Sequence, residues 1–355
     1  MSKDTPKPSA KARIKRHRIG LFAPTLVALV AIAGWSGYWF YNRYLVIKTV
    51  TTQVQNLKKA GYTVRFDPFY VKGYPYRMFV EWKNLTVIAP SGRGFSTTRL
   101  DAEANAYALD KWVIVAPETV TIYRGHPNGV DLGTVTVNGK VMRASVSHLG
   151  KPIYNIALQG VGLTLTPSDP THPFVFVSAD NFEAYLRPTK DVADSADMLV
   201  RLSGAKGAPR SLVGDLSPWK PLNLHLEGTV GHVSGFKGKD FNESIKAWSA
   251  TGGQITGVKS ELVAGDLNLF MHADVLTVDK DRHAKGQLAI EMTGTFKPLE
   301  VLGALHVISE ENMSLAKPLI DMTLATQGTQ KFAIDFKNGG AYIGALKVSN
   351  APILP

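Results

Sequence analysis

FYVKGYPYRMFVEWKNLTV, residues 69–87, is the stretch on which the fold turns. A Gly-Tyr-Pro turn enters a run in which Tyr76, Met78, Val80 and Trp82 alternate with Arg77, Phe79, Glu81 and Lys83. Successive side chains of a strand point to opposite faces, so this run is a strand with one strongly apolar face. Similar runs follow at 112–115 (WVIV), 120–124 (VTIYR), 156–166 (IALQGVGLTLT), 174–179 (FVFVSA), 222–230 (LNLHLEGTV), 267–278 (LNLFMHADVLTV) and 288–294 (LAIEMTG). Residues 135–137 and 141–143 flank Asn138-Gly139, the dipeptide of a two-residue hairpin turn. Strands at 331–336 and 342–348 surround Asn338-Gly339-Gly340. Short strands punctuated by Gly, Pro and Asn predict a mainly β, α+β fold built on a large, strongly curved antiparallel sheet system.

Helical patterns are few in this part. One covers 240–248. Another covers 297–308, with Pro298 near its first turn and Leu299, Leu302 and Leu305 on one side. A third covers 310–326, where Pro318 marks a break. The weakest point of the β-rich part (61–355) is the Gly-, Ser- and Pro-rich loop 203–217, where a sub-division would fall.

Outward toward the N-terminus, the pattern becomes helical and then uniformly apolar. Val46, Ile47, Val50, Val54 and Leu57 recur at helical spacing over 42–60, which reads as a stalk, or equally as a helix docked on the domain, that Gly61 can cap. Before it, IGLFAPTLVALVAIAGWSGYWFY (19–41) has no charged residue, and about 20 apolar residues span a bilayer as a helix. Pro24 is expected in its first turns, where a missing N–H costs least. Trp35, Tyr38, Trp39 and Tyr41 crowd its C-terminal end, where amphipathic aromatics suit the headgroup layer. Residues 1–18 hold seven Lys/Arg against Asp4, so +6 of the net +11 lies in this tail. Positive charge stays inside, which predicts a cytoplasmic N-terminus, a signal-anchor helix in the inner membrane and a periplasmic domain. A cleaved signal peptide competes, because Ala31-Ile32-Ala33 is an A-x-A-like site. Apolar sequence continuing to Tyr41 favours the anchor, and both readings export the domain.

The tail carries most of the charge, and nucleic-acid binding calls for a basic stripe on the folded part, so no nucleic-acid partner is expected. There is no cysteine, which excludes disulfides and cysteine-based metal sites or nucleophiles. The nine histidines show neither H-x-H nor H-E-x-x-H spacing. Asp279-Lys280-Asp281 with His283 is the densest polar cluster, and it sits where turn residues belong. In 231–235 (GHVSG) the serine comes one place late for a nucleophile elbow. Gly133 to Gly139-Lys140 is one residue too long for a phosphate loop, and Val141 replaces its Ser/Thr. No catalytic residue, cofactor or metal is expected.

Several short motifs, taken in order, carry a resemblance. They are Trp35-Ser36-Gly37-Tyr38-Trp39 and Gly73-Tyr74-Pro75-Tyr76-Arg77, then Ala264-Gly265-Asp266-Leu267 and Leu276-Thr277-Val278-Asp279 with Gly286-Gln287-Leu288. The run from Asn338 to Leu346, closing on Ala351-Pro352-Ile353-Leu354, completes them. Over nearly its whole length the chain resembles the bacterial domain-of-unknown-function family 2125, with Tyr76 where a Phe is common. The resemblance implies an anchored, β-rich envelope protein, similar in architecture to AsmA-like lipid-trafficking proteins. It implies no catalytic residues.

The expectation is a non-enzymatic, membrane-anchored envelope protein. Its apolar sheet face, with Tyr76, Met78, Val80 and Trp82 as groove residues, would bind lipid or another apolar component. The alternatives for that face are a sealed core and, for the protein, an assembly factor that pairs with an envelope partner through a sheet edge. Periodicity alone does not separate groove from core, because acyl chains and packed elements demand the same alternation.

Overall fold

The computed structural model describes residues 10–126, 129–151, 153–216, 220–238, 241–279, 281–294, 301, 303, 308 and 329–353. It opens with α1 (Ala10–Lys59), a single helix in which the expected anchor and stalk run together. Because α1 begins at Ala10, Pro24 lies in its interior and not in its first turns. The helix ends where expected. Gly61 takes φ +90°, and Tyr62 N–H donates to Leu57 C=O at 3.0 Å. A residue without Cβ enters this left-handed backbone freely and lets the chain close the last turn.

The strands are β1 (Thr63–Arg65), β2 (Tyr70–Lys72), β3 (Arg77–Ile88), β4 (Arg93–Asn105), β5 (Ala108–Val115), β6 (Val120–Arg124), β7 (Thr134–Asn138), β8 (Val141–Ser147) and β9 (Asn155–Pro167). They continue as β10 (Ser178–Pro188), β11 (Ser195–Ala205), β12 (Leu222–Gly231), β13 (Gln254–Ala264), β14 (Leu267–Val278), β15 (Ala284–Thr293), β16 (Gln330–Lys337), β17 (Gly340–Ile343) and β18 (Leu346–Asn350). Two short helices, α2 (Leu212–Leu216) and α3 (Phe241–Ala250), interrupt them. All 18 strands join one antiparallel sheet. From β9 to β18 each strand pairs with the next in sequence. Both β1 and β2 pair with β3, which pairs with β4. Between the long strands β4 and β9 the meander is two strands deep: β5 and β6 run along β4, and β7 and β8 run along β9.

That arrangement corrects one expectation. Asn138-Gly139 makes no hairpin. Val135 pairs with Pro167 and Val141 with Val161, so β7 and β8 lie in one unbroken register against β9. A Cβ on Gly139 would lie 2.8 Å from Leu163 Cδ2, so this glycine makes room for core packing. The hairpin reading fits the other Asn-Gly pair. Lys337 faces Gly340 across Asn338 (φ +50°) and Gly339 (φ +67°), the backbone of a type I′ turn.

Other departures have physical causes. FVFVSA was expected as a strand, but β10 starts only at Ser178. Phe174 and Phe176 instead lie over the core from a loop tied by Leu165 N–H to Val177 C=O and by Val177 N–H to Lys206 C=O, both at 2.7 Å. Strands β4, β11 and β13 were not expected at all, and β10 only in its first two residues, Ser178 and Ala179. Loop 203–217 interrupts the chain but not the sheet, since β11 pairs with β12 across it. The expected helix at 240–248 is α3. Those at 297–308 and 310–326 lie outside the described residues, except that Val301 and Ile308 are buried in the main core.

The main core covers one face of the sheet from β7 to β18 and includes Leu163, Leu202, Leu262, Leu269, Ile290, Ile334 and Val348, with Val213 and Leu216 of α2. A second, smaller cluster joins α1 to β2, β3 and the β4–β5 turn.

Candidate functional site

The smaller cluster lies where the apolar helix meets the sheet. Trp35 and Trp39 are four residues apart, so both face the domain. Trp35 Nε1 donates to Pro75 C=O at 2.9 Å, Trp39 Nε1 to Arg77 C=O at 3.0 Å and Arg43 Nε to Val71 C=O at 3.1 Å. Ser36 Oγ and Tyr74 OH are 2.9 Å apart. Each indole thus buries its apolar body and satisfies its one donor on the β2–β3 turn. Ala102, Ala104 and Ala106, all buried, keep the β4 side of this region shallow.

The four residues expected to line a groove are divided by this helix. Met78 and Val80 are fully buried, in the cluster that holds Trp39 and Val71. Trp82 is half-buried, its ring 6.1 Å from that of Phe69. Tyr76 is 67% exposed at the turn. The occupant of this part of the face is the protein's own helix. The four aromatic residues expected at the bilayer interface also divide. Trp39 is buried and Trp35 half-buried against the domain, while Tyr38 and Tyr41 are exposed.

Register shows what alternation within single strands could not. Directly opposed residues of antiparallel strands share a face. Val80 pairs with Ala102, Ala102 with Ile114, Ile114 with Ala144, Ala144 with Leu158 and Leu158 with Ala184. The row continues through Val200, Leu226, Ser260, Met271 and Ile290 to Phe332. Apart from Ser260 it is apolar from the helix-packed cluster to the main core. A parallel row runs from Trp112 through Val146, Ile156, Leu186 and Met198 to Gly228. Between the two clusters these rows are open to solvent in part: Ile114, Ala144, Ala184, Val200 and Leu226 are half-buried and Leu158 is 43% exposed.

The opposite face is polar. Its row reads Glu81, Asp101, Val115, Arg143, Gln159, Glu183, Arg201 and His225. Arg99 bridges Asp101 at 2.8 Å, Arg201 approaches Glu183 at 3.6 Å and Arg77 bonds Glu103. Two clefts on this side, about 590 and 650 Å³, meet at Ser145. Tyr185 and Leu199 line one, Phe79 and Val113 the other, beside ion-paired Asp197, Arg201 and Glu103.

The titratable clusters organise turns. Asp169 is held down at about 2 by the Thr171 hydroxyl, by His172 and by the Thr171 backbone N–H. Asp194 is lowered by the backbone N–H and hydroxyl of Ser234. Ligand atoms of Asp279, Asp281 and His283 lie within 4.8 Å of one another. Asp279 Oδ1 already accepts the backbone N–H groups of Asp281 (2.9 Å) and His283 (2.8 Å), as expected for a turn between strands.

Among the described residues one helix is long and apolar enough to cross a bilayer, and it docks on a single antiparallel sheet, an arrangement compatible with a single-pass membrane anchor. The chain belongs to the DUF2125 family, described as an uncharacterized protein conserved in bacteria, whose model matches residues 39–352. No curated protein and no solved structure matches it.

Proposed function

We propose that this is a non-enzymatic, single-pass protein of the bacterial inner membrane, N-terminus cytoplasmic, whose periplasmic sheet shelters an acyl chain or similar apolar envelope component. The observation that carries this reading is the apolar row from Val80 to Phe332, partly open between α1 and the main core. An acyl chain leaving the bilayer beside α1 meets that row at Ile114 and its neighbour Trp112 without crossing a polar strip. Burial there gains about 0.8 kcal/mol per CH₂ group. The ligand surface therefore moves along the same face, from Met78 and Val80 to the segment around Leu158.

An assembly factor pairing through a sheet edge has less support. Among the described residues the edges are β1 and β2, of three residues each, β18, of five, and the part of β16 before Asp335, which β17 does not pair. Edges this short offer few free backbone groups to a partner.

Native mass spectrometry of the detergent-extracted protein tests the lipid reading. Bound phospholipid is expected, and Leu158→Asp should lose it while melting as before, because Leu158 is already exposed. A wild-type protein without lipid, or a Leu158→Asp protein that keeps it, overturns the reading.

A further inference from the structure

The hydrogen bonds of the helix–sheet junction fix the height of the domain against the bilayer. Arg43 is the first charged residue after the apolar segment, and Trp35 precedes it by eight residues. At about 1.5 Å per residue, Trp35 lies about 12 Å below Arg43 along the helix axis. The headgroup layer of one leaflet is only about 5–8 Å thick. Yet Trp35 Nε1 donates to Pro75 C=O, and Ser36 Oγ meets Tyr74 OH. A turn bonded to the helix at that level has crossed the headgroups.

The composition of the turn suits that depth. Gly73-Tyr74-Pro75-Tyr76 carries no charge and lies between Lys72 and Arg77. Tyr74 is 49% and Tyr76 67% exposed. The β4–β5 turn stands beside it, tied by Ala106 N–H to Tyr76 C=O at 2.8 Å, and presents Tyr107, 66% exposed. On α1, Tyr38, Phe40 and Tyr41 are exposed at the same level. Aromatic tips backed by cations are what the boundary between headgroups and acyl chains favours.

We infer that the β2–β3 and β4–β5 turns are immersed in the outer leaflet of the bilayer that α1 crosses, with Tyr74, Tyr76 and Tyr107 at the headgroup–acyl boundary. The inference rests on the anchor reading of α1. It makes the domain a membrane-seated body and not one held away on a stalk. It also opens the apolar face to lipid near Trp112 and Ile114, on the strand that follows the immersed β4–β5 turn.

The chain has no cysteine, so introduced thiols label uniquely. Tyr76→Cys, Tyr107→Cys, Leu29→Cys and Val192→Cys, all at exposed positions, would each carry a nitroxide in the 355-residue chain. The protein is reconstituted in phosphatidylethanolamine–phosphatidylglycerol vesicles, and collisions with oxygen and with a water-soluble nickel complex are compared by electron paramagnetic resonance. Labels at 76 and 107 are expected to favour oxygen, less strongly than 29, while 192 favours nickel. Nickel-favouring labels at 76 and 107 with an oxygen-favouring 29 overturn the immersion and leave the anchor standing. A nickel-favouring label at 29 removes both. Labels at 76 and 107 shielded from both reagents point to a protein partner and overturn the inference as well.

Discussion

The indole of Trp39 donates its N–H to the main-chain carbonyl of Arg77 at 3.0 Å, which fastens the helix to the first residue of the first long strand. Trp39 is 3% exposed, so the bond closes a packed contact and not a surface one. Trp39→Ala should cost about 3–5 kcal/mol, as for large buried aromatics. Trp39→Phe keeps most of the packing but leaves the carbonyl unpaired, for a loss of about 1 kcal/mol. Thermal unfolding in detergent measures both. Equal losses for the two variants would show that the hydrogen bond, not the packing, dominates.

Asn42, one helical turn from Trp39, is buried and its Nδ2 has no partner. A buried polar group left unpaired costs about 1–3 kcal/mol. Asn42→Leu should therefore raise the melting temperature. A lowered melting temperature would mean that the amide serves a contact worth more than its desolvation.

The two Asn-Gly pairs should respond differently to alanine. Gly339→Ala strains a left-handed backbone and should cost about 1 kcal/mol whatever surrounds it. Gly139→Ala places a methyl group against Leu163, and overpacking costs about 1–3 kcal/mol. Combining Gly139→Ala with Leu163→Ala should cost less than the two losses added together, whereas Gly339→Ala with Leu163→Ala should be additive. Additivity in both double variants would remove the packing explanation for Gly139.

The Asp169 turn gives a pH signature. Its folded carboxyl titrates at about 2 against an ordinary 3.8. A lowered folded pKa stabilises the protein above the unfolded value, and that stabilisation fades as pH falls from 3.8 toward 2. Wild type should thus melt above Asp169→Asn at neutral pH, and the gap should close across that interval. A gap independent of pH would assign the effect to lost hydrogen bonds alone.

The β class and the junction between helix and domain are legible in the chain because Tyr76 to Lys83 alternates cleanly and 19–41 lacks charge. The missed strands are those whose inward residues are small or whose starts look like turns. In β4, Ala102 and Ala104 face inward in the region that α1 packs against, and alanine, aspartate and glutamate are all depleted in strands. Strand β10 begins Ser-Ala-Asp-Asn, a turn composition. The site was half legible. Alternation identified the face of Met78 and Val80, but not whether lipid or helix covers it. The open segment around Leu158 emerges only when the register of successive strands is aligned, and no single strand carries that information.

The meander has a consequence for biogenesis. From β9 to β18 every strand pairs with the one synthesised just before it, whereas β6 returns to β4 and β8 to β5. A chain made from its N-terminus delivers α1 first, then the turn and strand that dock on Trp35 and Trp39. From β9 onward each strand can zip onto the edge left by the one before it. On the proposed topology, the helix would thus act as the seed on which the sheet crystallises, largely in the order of translation.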